Sequence, residues 1–305
     1  MKDRDEIEED SRPTREGRPE RPERQGRAGA APSGVEAARH TSAREIYRDQ
    51  VIWALDKPPG ILSHPNPPAT EAPNALFRAP YDSEAECYVI RDGGRSTRVW
   101  LIHRLDQETS GLILCALDEE VALNLKEALL RREVVKEYRA VLLGAPEPRR
   151  GEWRDRLEKR KGAGRVTVTR GQGEPNAITR YAVLKVFEPS GLAHVSLHPE
   201  TGRTHQLRVQ AALRGIPVAA DDRYGDFTAN RFLEEAAGLK RMFLHAYHLE
   251  LRHPVTGHAL RLHAPFTSKL ADPLRRMEEI LQPVPRRSPA EREKTRRGGR
   301  GRRRR

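Results

Sequence analysis

Only two cysteines, Cys87 and Cys115, occur in the 305 residues. That is too few for a disulfide framework or a thiolate zinc site, and it fits a reducing cytosol. No apolar run approaches the roughly 20 residues a membrane-spanning helix requires, and the N-terminus is charged rather than apolar. Neither a membrane anchor nor a secretory signal is expected. Internal repeats are lacking, as is a glycine-rich phosphate loop with a following lysine. Five histidines near the end, His245, His248, His253, His258 and His263, invite a metal reading. Their spacing follows alternating strand faces rather than a compact ligand set, so neither metal nor cofactor is expected.

What is present is charge, unevenly spread. Residues 1–44 hold ten Lys/Arg and ten Asp/Glu with almost no large apolar side chains, a composition that cannot offset its own ordering entropy. Residues 283–305 carry eleven Lys/Arg against two Glu, a net of +9 out of +12 for the whole chain. Both segments are expected as disordered tails, leaving residues 45–282 as the folded domain. A basic tail attracts polyanions through counterion release without reading sequence, which points to nucleic acid as a partner.

Within the domain, Asp49–Leu55 reads as a strand closed by the turn Lys57-Pro58-Pro59-Gly60. The stretch from Asn66 to Arg98 is the least legible. Val99–Ile102 and Leu112–Leu117 read as extended segments flanking a loop. Asp118–Val134 has helical spacing, with acids at its start and Arg131 and Arg132 at its end. Val135–Leu143 reads as a strand, and Arg149–Pro175 as polar surface loops. Ile178–Phe187 with Leu192–Leu197, and Phe243–Arg252 with His258–His263, read as hairpins. Thr204 is placed to cap a helix running to about Arg214, and Ser268–Leu281 to close the domain as a helix. Hairpins dominate, which argues for an α+β fold with a largely antiparallel mixed sheet.

The loop between Ile102 and Leu112 reads His103-Arg104-Leu105-Asp106-Gln107-Glu108-Thr109-Ser110-Gly111. Two flanking strands can hold a carboxylate there firmly, which makes Asp106 the first candidate for a catalytic group. This block, with Asp56-Lys57-Pro58-Pro59-Gly60, Lys136-Glu137-Tyr138-Arg139-Ala140, Thr201-Gly202-Arg203-Thr204-His205-Gln206-Leu207-Arg208 and Leu244-His245-Ala246 in the same order, resembles the RluA-type pseudouridine synthases. The resemblance runs from about residue 48 to 267. It implies the pseudouridine synthase fold, a mixed sheet bent around a central catalytic cleft. The activity it implies is isomerisation of uridine to pseudouridine in ribosomal or transfer RNA by a cytoplasmic monomer.

By that resemblance Asp106 is the essential carboxylate, Arg208 the cation that keeps it ionised, and Tyr138 a ring that stacks on the target base. A free tyrosine pKa of about 10 makes proton removal by Tyr138 the harder role. Arg104 is the candidate to brace the gap left by an everted uridine. Arg203 and His205 join it as expected RNA-binding positions, along with His103, which has a structural alternative in bonding the loop. Two positions depart from the family pattern. Ala220 stands where relatives carry glycine before Asp221, and Gln210 where they carry a histidine; both are expected near the cleft, bearing on substrate rather than chemistry. The small RNA-binding appendage of many relatives is not expected, since residues 1–44 are too polar to fold. The competing readings are a non-catalytic RNA-binding or ribosome-assembly factor on the same fold, and a two-carboxylate glycoside hydrolase. The latter lacks an obvious second acid, Glu108 being too close in sequence.

Overall fold

The computed structural model describes residues 41–65, 74–92, 94–162 and 165–280. Residues 1–40 and 281–305 lie outside the described residues, and with them the expectations for the two tails except at residues 41–44, which belong to the fold rather than to a tail. Thr41 already belongs to the fold. Its backbone bridges Phe77 and its hydroxyl donates to the Leu76 carbonyl at 2.6 Å.

The strands are β1 (Arg44–Arg48), β2 (Ile52–Lys57), β3 (Tyr81–Asp82), β4 (Cys87–Asp92), β5 (Arg95–Leu101) and β6 (Ser110–Ala116). Helix α1 (Glu119–Leu130) leads to β7 (Val135–Leu142), β8 (Arg150–Asp155), β9 (Leu157–Gly162), β10 (Arg165–Arg170), β11 (Ala177–Phe187) and β12 (Leu192–Pro199). Then come α2 (Gln206–Ala212), α3 (Phe227–Ala237), β13 (Leu244–Arg252), β14 (Ala259–His263) and α4 (Ser268–Ile280). Twelve strands form one sheet in the order β3-β4-β5-β6-β13-β7-β12-β11-β8, with β2 on β6, β1 on β2 and β14 on β13. The β6–β13 pair is parallel and the rest are antiparallel, giving the mixed, largely antiparallel α+β architecture expected from the hairpins.

Every residue of β2 and of β6 is buried, as befits central strands covered on both faces. One apolar cluster lies around β2, β4, β5, β6 and α1; two more lie around β7, β12 and the helices. Tyr138 packs against the first and second clusters at once, so it sits at the seam between the two halves. Gly111 marks the same seam. Its φ of +108° suits glycine, and a methyl group there would collide with the Ala246 backbone, so the parallel pairing of β6 with β13 requires a residue without Cβ.

α1 forms as its spacing predicts: the Asp118 carboxylate accepts from Val121 N at 3.0 Å, and Val121, Ala122 and Leu125 face the core. Two local expectations are corrected, and one helix lies where none was expected. Arg149–Pro175 is not loop but β8 and the β9–β10 ribbon, where alternation leaves few apolar residues to read: Leu157 and Val168 are buried with Ala177 and Val209. Thr204 does not cap α2. His205 holds the N-cap in a left-handed conformation (φ 53°) without a side-chain cap bond, and the Gln206 side chain turns back to accept from Arg203 N. α3, capped by Asp226 and ended by left-handed Gly238, follows Ala220 and Asp221, which the sequence marks only as a departure from the family pattern.

Candidate active site

Asp106 sits in the loop between β5 and β6, and that loop is stitched to the turn after β2. Ser63 Oγ donates to Leu105 O (2.8 Å) and accepts from Leu105 N (2.9 Å). Gly60 N donates to Gln107 O at 2.9 Å, and Gln107 Nε2 donates back to Gly60 O at 3.0 Å. Lys57 is fully buried, and its Nζ donates to Pro58 O, Ile61 O and Gln107 O at 2.9, 2.8 and 3.0 Å. Burial pulls its pKa down to about 7 against the attraction of Glu108 and Asp106, while three carbonyl acceptors match the three N–H groups of the ammonium form.

The far end of the loop is held from β13 and the segment just before it. Arg241 Nη1 donates to Ser110 Oγ at 2.9 Å and Nη2 to Glu108 O at 3.3 Å. Ser110 Oγ lies 2.7 Å from His245 Nδ1, and His245 Nε2 lies 2.9 Å from Ala264 O. A carbonyl can only accept, so Nε2 carries the proton and Nδ1 accepts from Ser110. His245 is thereby a loop anchor. Among the described residues no group of three or more His, Cys, Asp or Glu is arranged to hold a metal ion, and no helix is long and apolar enough to cross a membrane.

α2 brings Arg208 to this loop. Its guanidinium forks onto Asp221, Nε to Oδ2 at 2.7 Å and Nη2 to Oδ1 at 2.8 Å, and reaches Asp106 Oδ2 with Nη1 at 3.3 Å. The three side chains differ in access: Arg208 is 5% exposed, Asp221 0% and Asp106 23%. Asp221 is also saturated by the backbone N–H groups of Arg223 (2.9 Å) and Tyr224 (3.0 Å) on Oδ1. Burial pushes its carboxyl up, but these donors and the guanidinium more than offset that, leaving its pKa below the ordinary value. Burial likewise pulls Arg208 down and the two aspartates overcome it, so the guanidinium stays charged. Tyr224 lies under the guanidinium, 5.2 Å from carbon to ring centroid, and its hydroxyl meets His205 Nδ1 at 2.8 Å and accepts from Val168 N at 3.2 Å.

The structure therefore brings Asp106, Arg208 and Tyr138 together, with His205 beside them. Tyr138 feels the Asp106 charge, and burial together with that charge raises its phenol well above the ordinary tyrosine value. Its hydroxyl makes no hydrogen bond among the described residues, and a phenol held protonated suits a ring that stacks, not one that takes a proton. His205 is close enough for Asp106 to raise its pKa and Arg208 to lower it, burial prevailing downward. Arg104 is exposed and meets His64, its Nη1 2.6 Å from His64 Nε2. Arg203 is exposed on the turn before α2, its Nε donating to Asn176 O at 3.0 Å. His103 points inward: its Nε2 accepts from Leu114 N at 3.1 Å, and burial lowers its pKa to about 3. Of the two uses considered for it, this is the structural one.

Asp221 and Tyr224 were missed as site residues. Their signal was the block Asp221-Asp222-Arg223-Tyr224-Gly225, noted only for the residue before it. That residue, Ala220, has φ +56°, the region glycine enters freely, which accounts for glycine in the pattern. Gln210 is not at the cleft. It is fully buried, with Nε2 on Asp155 Oδ2 (2.8 Å) and Oε1 accepting from Thr179 Oγ1 (2.7 Å), so it ties α2 to β8 and β11.

The family model for RNA pseudouridylate synthase matches residues 51–213. The ribosomal large subunit pseudouridine synthase C of Salmonella typhi is 32% identical over 252 residues, 78% of this chain and 69% of that protein. Its namesake from Pasteurella multocida (strain Pm70) is 31% identical over 234 residues, 74% of this chain and 65% of that protein. The solved human RNA pseudouridylate synthase domain containing 4 superposes with a TM-score of 0.56 at 24% identity, covering 80% of this chain and 94% of that one, a likeness of fold. The sequence match and the matching architecture agree: this chain belongs to the RNA pseudouridylate synthase family.

Proposed function

We propose that this protein converts uridine to pseudouridine in large-subunit ribosomal RNA, with Asp106 as the catalytic carboxylate and the target nucleotide turned out of its stack. The relatives' names point to that RNA class. The observation that carries the chemistry is the unequal sharing of Arg208. Asp221 takes two short bonds and is sealed from water, whereas Asp106 takes one longer bond and keeps an open side. The buried aspartate fixes the guanidinium, the guanidinium bonds the loop carboxylate, and of these two acids only the loop carboxylate keeps a side open to a substrate.

Isomerisation breaks the bond between ribose C1′ and base N1, turns the base, joins C1′ to C5, and moves the C5 proton away while N1 gains one. An ionised carboxylate can attack or stabilise the electron-poor sugar carbon without an external reagent. Tyr138 stacks on the uracil and screens the cleft, and extrusion of the nucleotide costs on the order of a few kcal/mol, to be recovered from cleft contacts. Asp106→Asn tests the reading. Pseudouridine mapped by carbodiimide-dependent reverse-transcription stops should disappear while RNA affinity stays within about threefold; undiminished product would overturn it.

A further inference from the structure

A column of aromatic rings runs from the core to the surface beside the catalytic loop. Trp53 meets Phe77 (centroids 5.2 Å apart), Phe77 meets Tyr88 (5.0 Å), Tyr88 meets Tyr81 (4.9 Å), and Tyr81 lies near-parallel to His64 at 5.3 Å and 17°. The inner three are buried, whereas Tyr81 and His64 are half-exposed. Tyr88 is pinned by its hydroxyl, which donates to Ser63 O at 2.8 Å, next to the residue that clamps Leu105. The His64 ring is pinned too. Its Nδ1 lies 3.0 Å from Pro65 O and must donate there, which leaves Nε2 to accept from Arg104. The guanidinium therefore lies at the edge of the outermost ring, two residues from Asp106.

We propose that His64 and Tyr81, with Arg104 at their edge, form a rigid stacking platform for a nucleobase next to the target uridine in the RNA chain. The proposal rests on the pseudouridine synthase reading and deepens it. Once a nucleotide is extruded, its neighbour loses a stacking partner, and a preordered pair of rings and a guanidinium plane offer a replacement that any base can use. Most exposed aromatics would lose rotamer freedom on binding. Here the bonds from Pro65 and Arg104 and the buried rings behind Tyr81 have already ordered the surface.

The test uses the full chain and a large-subunit ribosomal RNA transcript carrying tritium at uridine C5, released to water as pseudouridine forms. His64→Leu and Tyr81→Leu should each raise KM about tenfold, the loss falling on KM rather than kcat, and His64→Phe and Tyr81→Phe should restore most of it. Should Tyr81→Leu fail to fold, His64→Leu at the solvent end decides. Leucine variants that melt like the wild type and keep its KM would remove the platform while leaving the synthase intact. A wild-type protein that releases no tritium would remove the synthase reading, and the platform with it.

Discussion

Replacing Asp221 by Asn tests the core of the structural argument, because it removes one charge and almost no volume. The wild-type carboxylate is fully buried and bonds Arg208 at 2.7 and 2.8 Å. Breaking a buried ion pair by removing one partner costs about 3–5 kcal/mol. Asparagine keeps an oxygen for the N–H groups of Arg223 and Tyr224, which places the cost near the lower end, about 3 kcal/mol. Asp222, 3.9 Å from the guanidinium and 86% exposed, is no substitute, since such a pair is worth roughly 0–1 kcal/mol. For a domain of this size about 2–4 °C is lost per kcal/mol, so the melting temperature followed by circular dichroism should fall by roughly 6–12 °C. At 25 °C the folded variant should form pseudouridine at least about tenfold more slowly, since Arg208 loses the bonds that aim it at Asp106. The pH dependence carries its own sign. The folded carboxyl lies below its unfolded value of about 4, so its contribution is complete above that pH and lost as the pH falls through the folded value. The gap between wild type and variant should stay constant from pH 8 to 5 and close below about 4. A melting change under about 2 °C, or a gap that widens on acidification, would refute the reasoning.

Tyr138→Phe should retain at least about tenfold more activity than Tyr138→Leu in the tritium-release assay, because stacking uses the ring. With the phenol pushed above its ordinary value by burial and Asp106, the wild-type rate should also show no rising limb from tyrosine ionisation between pH 7 and 10; such a limb would point to a proton-transfer role instead. Removing residues 283–305 deletes a net charge of +9, and the slope of log affinity against log salt should flatten by a unit or more in filter binding; an unchanged slope would show that the segment does not touch RNA.

Much of this site was legible because its residues are neighbours in the chain. The block from His103 to Gly111 announced Asp106, and the run ending in Arg208 announced its partner. Helix α1 was legible from spacing and its Asp118 cap, and the hairpins β11–β12 and β13–β14 from turn residues between extended runs. β1 and the β9–β10 ribbon were not, because strands with a polar or charged exposed face lack the apolar run that betrays a central strand.

By itself the order of residues determined an α+β chain with a loop aspartate, an arginine about a hundred positions later, and a tyrosine between them. Tertiary structure alone decided which acid owns the arginine. Asp221 and Asp106 are chemically alike, and only their placement, one sealed behind the guanidinium and bonded by backbone amides, the other open at 3.3 Å, separates the anchor from the accessible acid. It also decided the partners of the histidines: Leu114 N for His103, the Tyr224 hydroxyl for His205, Ala264 O for His245. Those partners lie 11, 19 and 19 residues away in the chain, where local pattern has no reach and packing alone makes the pairing.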